Sequence, residues 1–367
     1  MPETAERRCP CYMNRAERLL AQMNIGPKEA VIIHNPSNMF YLSGYTGEGL
    51  VVLAQGLKTI VTDFRYTEQA EKQAPEFACE MISKGCGHEH LTAKLLQEKQ
   101  IETIYFEEDY VTVKAGKALA EALSFAKLLP VNGAPEALRQ LKDEDELARM
   151  TEACRITSLA YDYILGEVKP GMTEKEVALK LEYWMLTHGA DGLAFTTIAA
   201  AGANGSLPHA IPGDYKIQLG DMVTLDYGAK YKGYCADMTR TFSVGKPSDQ
   251  MRKIYETVLT AQKMAEEAVA PGKMCQAIDA IARDYIYAQG YEGCFGHGLG
   301  HGVGIDIHED PRFSMACPAV TQEGMMMTVE PGIYIPGVGG VRIENTVYIT
   351  KDGCKPLTFA PKDLIIL

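Results

Sequence analysis

A segment in the second half of the chain occurs twice. Residues 168–191 read VKPGMTEKEVALKLEYWMLTHGAD, and residues 269–292 read VAPGKMCQAIDAIARDYIYAQGYE. The Pro-Gly pairs at 170–171 and 271–272 match at an offset of 101 residues, as do Gly189 and Gly290. Each copy predicts a helix, a break at Pro-Gly, a second helix and a stop at glycine.

A second match follows each copy. Residues 222–228, MVTLDYG, align with residues 326–332, MMTVEPG, at an offset of 104, and an acid falls at the same place in both, Asp226 and Glu330. Two ordered matches at nearly one offset favour duplication over chance similarity of short periodic segments. We therefore expect two pseudo-equivalent halves that face one another, each built from two helices followed by strands.

The first third of the chain alternates short apolar runs with helical stretches, which predicts a small amino-terminal α/β domain. The turn-forming residues at 35–38 and 44–49 predict loops, which we interpret as structural rather than as the rim of a site. The pattern breaks at Pro130, Asn132 and Gly133, and a charged run at 142–146 then opens a long amphipathic stretch. We place the domains at 1–131 and 132–367. The predicted elements are strands at 30–34, 50–53, 59–62 and 103–106, and helices at 66–72, 91–98 and 113–123.

Composition excludes several classes of protein. Asp and Glu outnumber Lys and Arg by 48 to 36, a formal charge of −12, so we expect no nucleic-acid partner. No apolar run approaches the length of a membrane helix, and the amino terminus does not resemble an export signal, so the expected compartment is the cytoplasm. The ten cysteines lack paired CxxC spacing and are expected to be mostly reduced thiols. Cys9 and Cys11, the only close pair, carry no assignment.

Two pairs of carboxylates stand in β-rich hairpins. Asp226 precedes Asp237 across the turn at 230–234, and Glu330 precedes Glu344 across the glycine-rich stretch at 336–340. Duplication would bring all four to one centre, where unpaired charges within apolar strands cost several kcal/mol. Only two arginines lie nearby in sequence, too few to neutralise four acids, so we expect bound divalent metal.

Histidines complete the candidate site. His297, His301 and His308 stand among glycines that permit close approach of a ligand, and His209 is a fourth candidate. One imidazole with four carboxylates suits two divalent ions that share bridging carboxylates. Mn²⁺ fits this hard donor set best, with Co²⁺, Zn²⁺ and Fe²⁺ as alternatives. Such ions activate water and polarise a carbonyl, which predicts hydrolysis. A G-x-S-x-G nucleophile motif is absent.

These motifs, LDYG(x)₈D, HGLGH(x)₆HE, VEPG and VRIE, resemble those of the creatinase, prolidase and methionine aminopeptidase superfamily of metallopeptidases. The resemblance covers residues 143–367 and implies its pita-bread catalytic fold. Weaker motifs in the first domain, NPSN, YLSG and TDFRY, resemble the amino-terminal domain of the longer members. Within the superfamily the chain looks most like bacterial Xaa-Pro aminopeptidases of the two-domain kind.

Carried over position by position, the resemblance assigns roles to the candidate residues. The implied metal ligands are Asp226, Asp237, His301, Glu330 and Glu344, with the second and the last bridging two ions. Glu330 would also be the general base. His308 would stabilise the oxyanion, His209 would contact the substrate at the same centre, and His297 would line the proline pocket. Thr239 and Arg342 would hold the carboxylates in place.

The implied reaction is hydrolysis of the peptide bond before a penultimate proline, with peptides as partners and a homodimer as the assembly. That bond involves a tertiary amide without an N–H, so a dedicated pocket for the ring is required. The nearest alternative is an Xaa-Pro dipeptidase, which differs by recognising a carboxylate directly after proline with a basic residue. Methionine aminopeptidase, the metal-free creatine amidinohydrolase and an inactive peptide-binding module are further alternatives. Activity on dipeptides compared with longer peptides separates the first two.

Overall fold

The computed structural model describes residues 15–367, which form two compact units. The first unit ends at Arg139 and the second runs from Gln140 to Leu367. This division lies one short helix beyond the boundary expected at residue 132, because the break at 132–133 is a turn inside the first unit. Cys9 and Cys11 fall outside the described residues. No helix within residues 15–367 combines the length and apolar character needed to span a bilayer.

The first unit is a six-stranded sheet with helices, and its strand order is β4-β3-β2-β1-β5-β6. The pairs β1/β2 and β2/β3 are antiparallel and the others are parallel. Its elements in chain order are α1 (Arg15–Gln22), β1 (Glu29–Ile33), α2 (Pro36–Ser43), β2 (Leu50–Ala54), β3 (Leu57–Thr62), α3 (Thr67–Gln73), β4 (Ala78–Met81), α4 (His88–Glu98), β5 (Thr103–Phe106), α5 (Val113–Ala122), β6 (Lys127–Pro130) and α6 (Ala134–Arg139).

Helix α2 corrects the sequence analysis, which expected a loop at 35–38. Asn35 is the N-cap residue, and its side chain accepts a hydrogen bond from the backbone N–H of Ser37. Pro36 occupies the first turn, where its missing N–H costs nothing. The residues that suggested a turn are therefore the start of a helix. Strands β4 and β6 were not predicted either.

The second unit holds two successions of helices and strands. The first is α7 (Glu144–Glu167), α8 (Glu174–Thr187), β7 (Gly192–Leu193), β8 (Ile198–Ala201), β9 (Met222–Tyr227), β10 (Ala229–Tyr231), β11 (Tyr234–Cys235) and β12 (Met238–Ser243). The other is α9 (Asp249–Ala268), α10 (Cys275–Ile286), β13 (Gly300–Gly302), β14 (Glu309–Phe313), β15 (Met326–Val329), β16 (Gly332–Ile335), β17 (Gly339–Arg342), β18 (Asn345–Thr350) and β19 (Gly353–Pro356).

The two successions share one plan. The order β8-β9-β12 recurs as β13-β15-β18, with antiparallel pairing throughout, and each sheet follows a helix pair. The glycines matched in sequence also match in backbone conformation: φ is 90° at Gly171 and 78° at Gly272, and 107° at Gly189 and 89° at Gly290. Left-handed φ values at equivalent helix ends are costly for residues with a Cβ atom. The predicted α/β fold with internal duplication is confirmed.

The two halves meet along β12. The backbone N–H of Glu344 donates to the carbonyl of Thr239 at 3.0 Å, and the Thr346 hydroxyl donates to the carbonyl of Asp237 at 2.7 Å. Thr241 donates to the carbonyl of Arg342 at 2.9 Å. These bonds place the acid-bearing end of the first hairpin against that of the second. The eight described cysteines are free thiols, as expected.

Candidate metal centre and substrate cavity

Each acid lies where a strand begins or ends. Asp226 is on β9 opposite Thr239 of β12, and Asp237 comes directly before β12. Glu330 directly follows β15, and Glu344 directly precedes β18, the partner of β15. Because antiparallel neighbours bring the end of one strand beside the start of the next, each half presents two acids at the same edge.

The structure brings the predicted ligands together. Oxygen or nitrogen atoms of Asp237, His301 and Glu344 all lie within 4.8 Å of one another, and the three residues are buried. The Nε2 atom of His301 is 3.5 Å from Asp237 Oδ2 and 3.4 Å from Glu330 Oε1. Its Nδ1 donates to the carbonyl of Gly302 at 2.9 Å, which leaves the Nε2 lone pair facing the carboxylates.

The neighbouring basic side chains do not neutralise all the carboxylates of this cluster. Burial, followed by the charges of neighbouring acids, raises the pKa of Asp237 and of Glu344 well above the usual range. Asp226 Oδ1 and Glu344 Oε1 are buried, and neither finds a hydrogen-bond donor among the described residues. Arg240 does not neutralise the acids, since its guanidinium hydrogen-bonds to the Asn345 side chain and to backbone carbonyls such as that of Ala360.

A divalent cation fits this set of donors. Unpartnered carboxylate oxygens and an imidazole lone pair converge in a buried site, and each would gain a partner from a bound cation. A buried anion without a partner costs several kcal/mol, and a cation removes that cost. Asp237, His301 and Glu344 are the residues that could hold it most directly, with Glu330 and Asp226 in the same cluster.

Thr239 and Arg342 contact the carboxylates of the cluster directly. Arg342 Nη2 forms an ion pair with Asp226 Oδ2 at 2.5 Å, and its Nε donates to the Thr239 hydroxyl at 3.0 Å. Thr239 in turn donates to Glu344 Oε2 at 2.7 Å. The two acids belong to different halves of the unit, so this chain of hydrogen bonds couples the orientation of their carboxylates.

A cavity of about 360 Å³ opens onto the cluster. All three predicted substrate-contacting histidines, His209, His297 and His308, line it. Burial lowers the pKa of His297, and its Nδ1 donates to the carbonyl of Gly298 at 2.8 Å. Desolvation lowers the pKa of His308 to about 4, and the neighbouring His301 and Arg312 act in the same direction. The apolar part of the wall is formed by Phe195, Ile198, Pro208 and Ile307.

Two residues in or beside the cavity escaped the sequence analysis. The Tyr334 hydroxyl is 2.9 Å from His297 Nε2 and accepts from Arg342 Nη1 at 2.8 Å, so it connects the histidine to the ion pair at Asp226. Arg312, on β14, lines the cavity four residues after His308. The only sequence signal for Arg312 was a basic residue close to the histidine motif, and Tyr334 left none.

The chain matches two family models over most of its length. The model of metallopeptidase family M24 matches residues 148–351, and that of the creatinase/prolidase N-terminal domain matches residues 15–141. The chain belongs to metallopeptidase family M24. Its two units are thus an M24 catalytic domain and the N-terminal domain found in creatinases and prolidases, and the family uses divalent metals for peptide hydrolysis.

Individual members of the M24 family are similar along their whole length. The Xaa-Pro dipeptidase of Pyrococcus furiosus is 38% identical, over 96% of this chain and 99% of that protein. The structure of the Xaa-Pro dipeptidase from Bacillus anthracis is 39% identical and superposes with a TM-score of 0.93, over 97% of this chain and 100% of the other. An X-Pro aminopeptidase structure from Thermotoga maritima is 35% identical with a TM-score of 0.89, over 96% and 100%.

Proposed function

We propose that this M24 metallopeptidase is an Xaa-Pro dipeptidase, a prolidase. The observation that carries the proposal is the cavity, whose lining includes both carboxylates of the cluster and Arg312. Among residues 15–367 no carboxylate forms an ion pair with Arg312. A dipeptide carries its own carboxylate directly after proline, so an arginine within reach of the scissile bond suits a dipeptide.

The residues that would hold two divalent ions are Asp226, Asp237, His301, Glu330 and Glu344. Their buried and unpartnered oxygens support this assignment. When bound, the ions act as Lewis acids that lower the pKa of water and polarise the scissile carbonyl. Mn²⁺ is the proposed native metal, because hard carboxylate donors outnumber the single imidazole.

The chain's own residues would manage the proton and the developing charge. Glu330 is the proposed general base, because its Oε1 accepts from Thr328 at 3.2 Å and faces the cavity beside His301. Its carboxylate would orient the attacking water and take its proton. The His308 ring lies 4.5 Å from that of His301, close enough to stabilise the oxyanion that forms on the carbonyl. His209 would contact the substrate at the same centre.

Recognition of the two ends of the substrate would be electrostatic. The α-amino group is a cation and would lie beside the acids, whereas the carboxylate after proline would pair with Arg312. His297 would line the pocket for the pyrrolidine ring, with its orientation held by Tyr334 at 2.9 Å. A cavity of about 360 Å³ is near the lower end of the roughly 300–1,000 Å³ common for ligand pockets, which favours a short substrate.

The alternative is an Xaa-Pro aminopeptidase, the reaction first expected from the motifs. It shares every proposed ligand, and the similarity to the Thermotoga maritima aminopeptidase structure favours it. The prolidases at 38 and 39% identity and the position of Arg312 move the preference to the dipeptidase.

The test compares three substrates on protein reconstituted with Mn²⁺: Ala-Pro, Ala-Pro-amide and Ala-Pro-Ala. A prolidase is expected to cleave Ala-Pro at least about 10-fold more efficiently than the other two, because only Ala-Pro offers a carboxylate to Arg312. Arg312→Met is expected to lower kcat/KM for Ala-Pro and to leave the amide almost unchanged. Preference for Ala-Pro-Ala would indicate the aminopeptidase instead, and no activity with any metal tested would reject both.

The homodimer implied by the family resemblance is part of the same proposal. Sedimentation of the Mn²⁺-loaded protein tests it without reference to activity. A species of twice the chain mass of 40.3 kDa is expected, and a species of 40.3 kDa at all concentrations would contradict it.

A further inference from the structure

A buried ion pair includes Glu309, the residue that directly follows His308 of the cavity lining. Lys142 Nζ is 3.0 Å from Glu309 Oε2, and the side chains are only 1% and 7% exposed. Burying two charges costs desolvation energy that their attraction hardly exceeds, so apolar residues of similar size would stabilise the fold as well. The pair is therefore of interest for its position next to His308 and not for its contribution to stability.

The lysine end of the pair is fixed to the framework of the unit. The backbone N–H of Lys142 donates to the carbonyl of Gly324 at 2.8 Å, and Leu141 forms a bridge with Met325 just before β15. The next residue, Asp143, caps helix α7 with a capping box. Lys142 therefore extends from a rigid junction between α7 and the strand that leads to Glu330.

The glutamate end closes the loop 303–308, which joins β13 to β14. Glu309 Oε1 accepts from the backbone N–H of Asp306 at 3.2 Å, and the N–H of Gly304 donates to the carbonyl of Asp306 at 3.0 Å. A Cβ atom at Gly304 would lie 2.5 Å from Glu309 Oε2, so the carboxylate rests directly on the loop backbone. The same loop carries Ile307 and His308 into the cavity.

We propose that Lys142 is a positioning residue for the peptidase reaction: through Glu309 it holds loop 303–308 so that His308 faces the carboxylate cluster. Glu309 also pairs with Gly302, the neighbour of His301, so the tether reaches both histidines. A loop end left free would move His308 by fractions of an ångström, which is enough to slow a step that depends on orientation. This inference rests on the proposed function for its kinetic consequence only.

The first experiment separates positioning from stability. Lys142→Met removes the cation from a buried ion pair with the Glu309 carboxylate, so Tm and kcat are both expected to fall, kcat by about 10- to 100-fold. The double variant Lys142→Met with Glu309→Gln removes both charges of the pair, and its amide oxygen still accepts from Asp306. Its Tm is expected to recover while kcat stays at least about 10-fold low, with KM and metal content close to those of wild type.

The second experiment does not use activity. Hydrogen–deuterium exchange followed by mass spectrometry is expected to show faster exchange in the peptide covering 303–313 for both variants, with α7 unchanged. Lys362→Met is the matched control, because Lys362 forms an ion pair with Glu266 at 3.0 Å with side chains 18% and 14% exposed, and neither residue lines the cavity. This control is expected to lower Tm and to leave kcat and exchange at 303–313 unchanged.

Three results would overturn the inference. They are wild-type kcat in Lys142→Met, recovery of kcat together with Tm in the double variant, and unchanged exchange at 303–313. If the wild-type protein cleaves no Xaa-Pro substrate, the proposed function fails, but the exchange measurement still decides whether Lys142 holds the loop.

Discussion

Thr239 offers a direct test of how the buried carboxylates are held. Its hydroxyl donates to Glu344 Oε2 at 2.7 Å and accepts from Arg342 Nε at 3.0 Å, and the residue is fully buried. Thr239→Val keeps the shape and removes both bonds. Hydrogen bonds to charged groups contribute about 1.5–3 kcal/mol each, so we expect the metal-free protein to lose about 3 kcal/mol of unfolding free energy. Loss of such a ligand-orienting partner also lowers metal affinity by about 10- to 100-fold.

The assay is calorimetric titration of chelator-stripped protein with Mn²⁺, alongside thermal unfolding of the metal-free form. The matched control is Thr241→Val, two residues along β12, whose hydroxyl donates to the backbone carbonyl of Arg342 at 2.9 Å rather than to a carboxylate. The Thr241 hydroxyl also lies 2.9 Å from the Thr224 hydroxyl and accepts from the backbone N–H of Arg342 at 3.3 Å, so we expect the control to lose about 1–3 kcal/mol of stability with Mn²⁺ affinity unchanged. The reasoning would be refuted if Thr239→Val bound Mn²⁺ as tightly as the wild-type protein, or if both variants lost the same Mn²⁺ affinity.

Further predictions concern catalysis, acid stability and packing. Glu330→Gln should retain metal, measured by mass spectrometry, and lose about 10²- to 10⁴-fold in kcat, because the amide cannot accept a proton. Burial lowers the pKa of His34 from 6.5 to about 4. The free energy of unfolding should therefore be highest above pH 6.5 and fall by about 3 kcal/mol as the pH drops to 4. Urea unfolding of His34→Gln should show a smaller dependence of this free energy on pH. Gly228→Ala should lower the free energy of unfolding, measured in urea, by about 3 kcal/mol or more, because the new Cβ would lie 1.8 Å from the carbonyl oxygen of Ala236. The control Gly166→Ala, where a Cβ would meet no atom within 4 Å, should leave this free energy unchanged or raise it slightly.

Each of these predictions has an outcome that contradicts it. Undiminished kcat in Glu330→Gln with metal bound would remove that residue as the base. An acid profile of His34→Gln parallel to that of wild type would show that another group causes the loss of stability. Equal stabilities for the two glycine variants would mean that the strand pairing at Gly228 relaxes to admit a methyl group.

Much of the catalytic unit was predictable, because its signals are local or periodic. The hairpin between Asp226 and Asp237 follows from β-forming residues on both sides of a turn, and Lys232 and Gly233 adopt the left-handed φ values of 46° and 84° that such turns require. The duplication was visible because glycines at equivalent helix ends must keep the same conformation. Each of these features depends on residues close together in the chain.

Features that depend on distant contacts were not predictable. Tyr334 acts through His297 and Arg342, which lie 37 and 8 residues away, and nothing in its own surroundings in sequence indicates a buried hydroxyl. Asn35 and Pro36 are common in turns and at helix starts alike, and local sequence does not separate the two. The proposal of a dipeptidase rather than an aminopeptidase depends on which arginine lines the cavity, which only the fold determines.

The shared plan of the two halves has a consequence for how such a catalyst could arise. Strands β8 and β13 occupy equivalent places, but β8 contains Ile198 and three alanines where β13 contains His301. A single ancestral half could surround an ion only by pairing with a second copy, and both copies would then offer identical donors. Two halves within one chain, by contrast, can carry different residues at equivalent places. His301 and two of the three other cavity histidines, His297 and His308, lie in the second half, whereas the first half contributes His209, so the two halves offer different donors to the shared cavity.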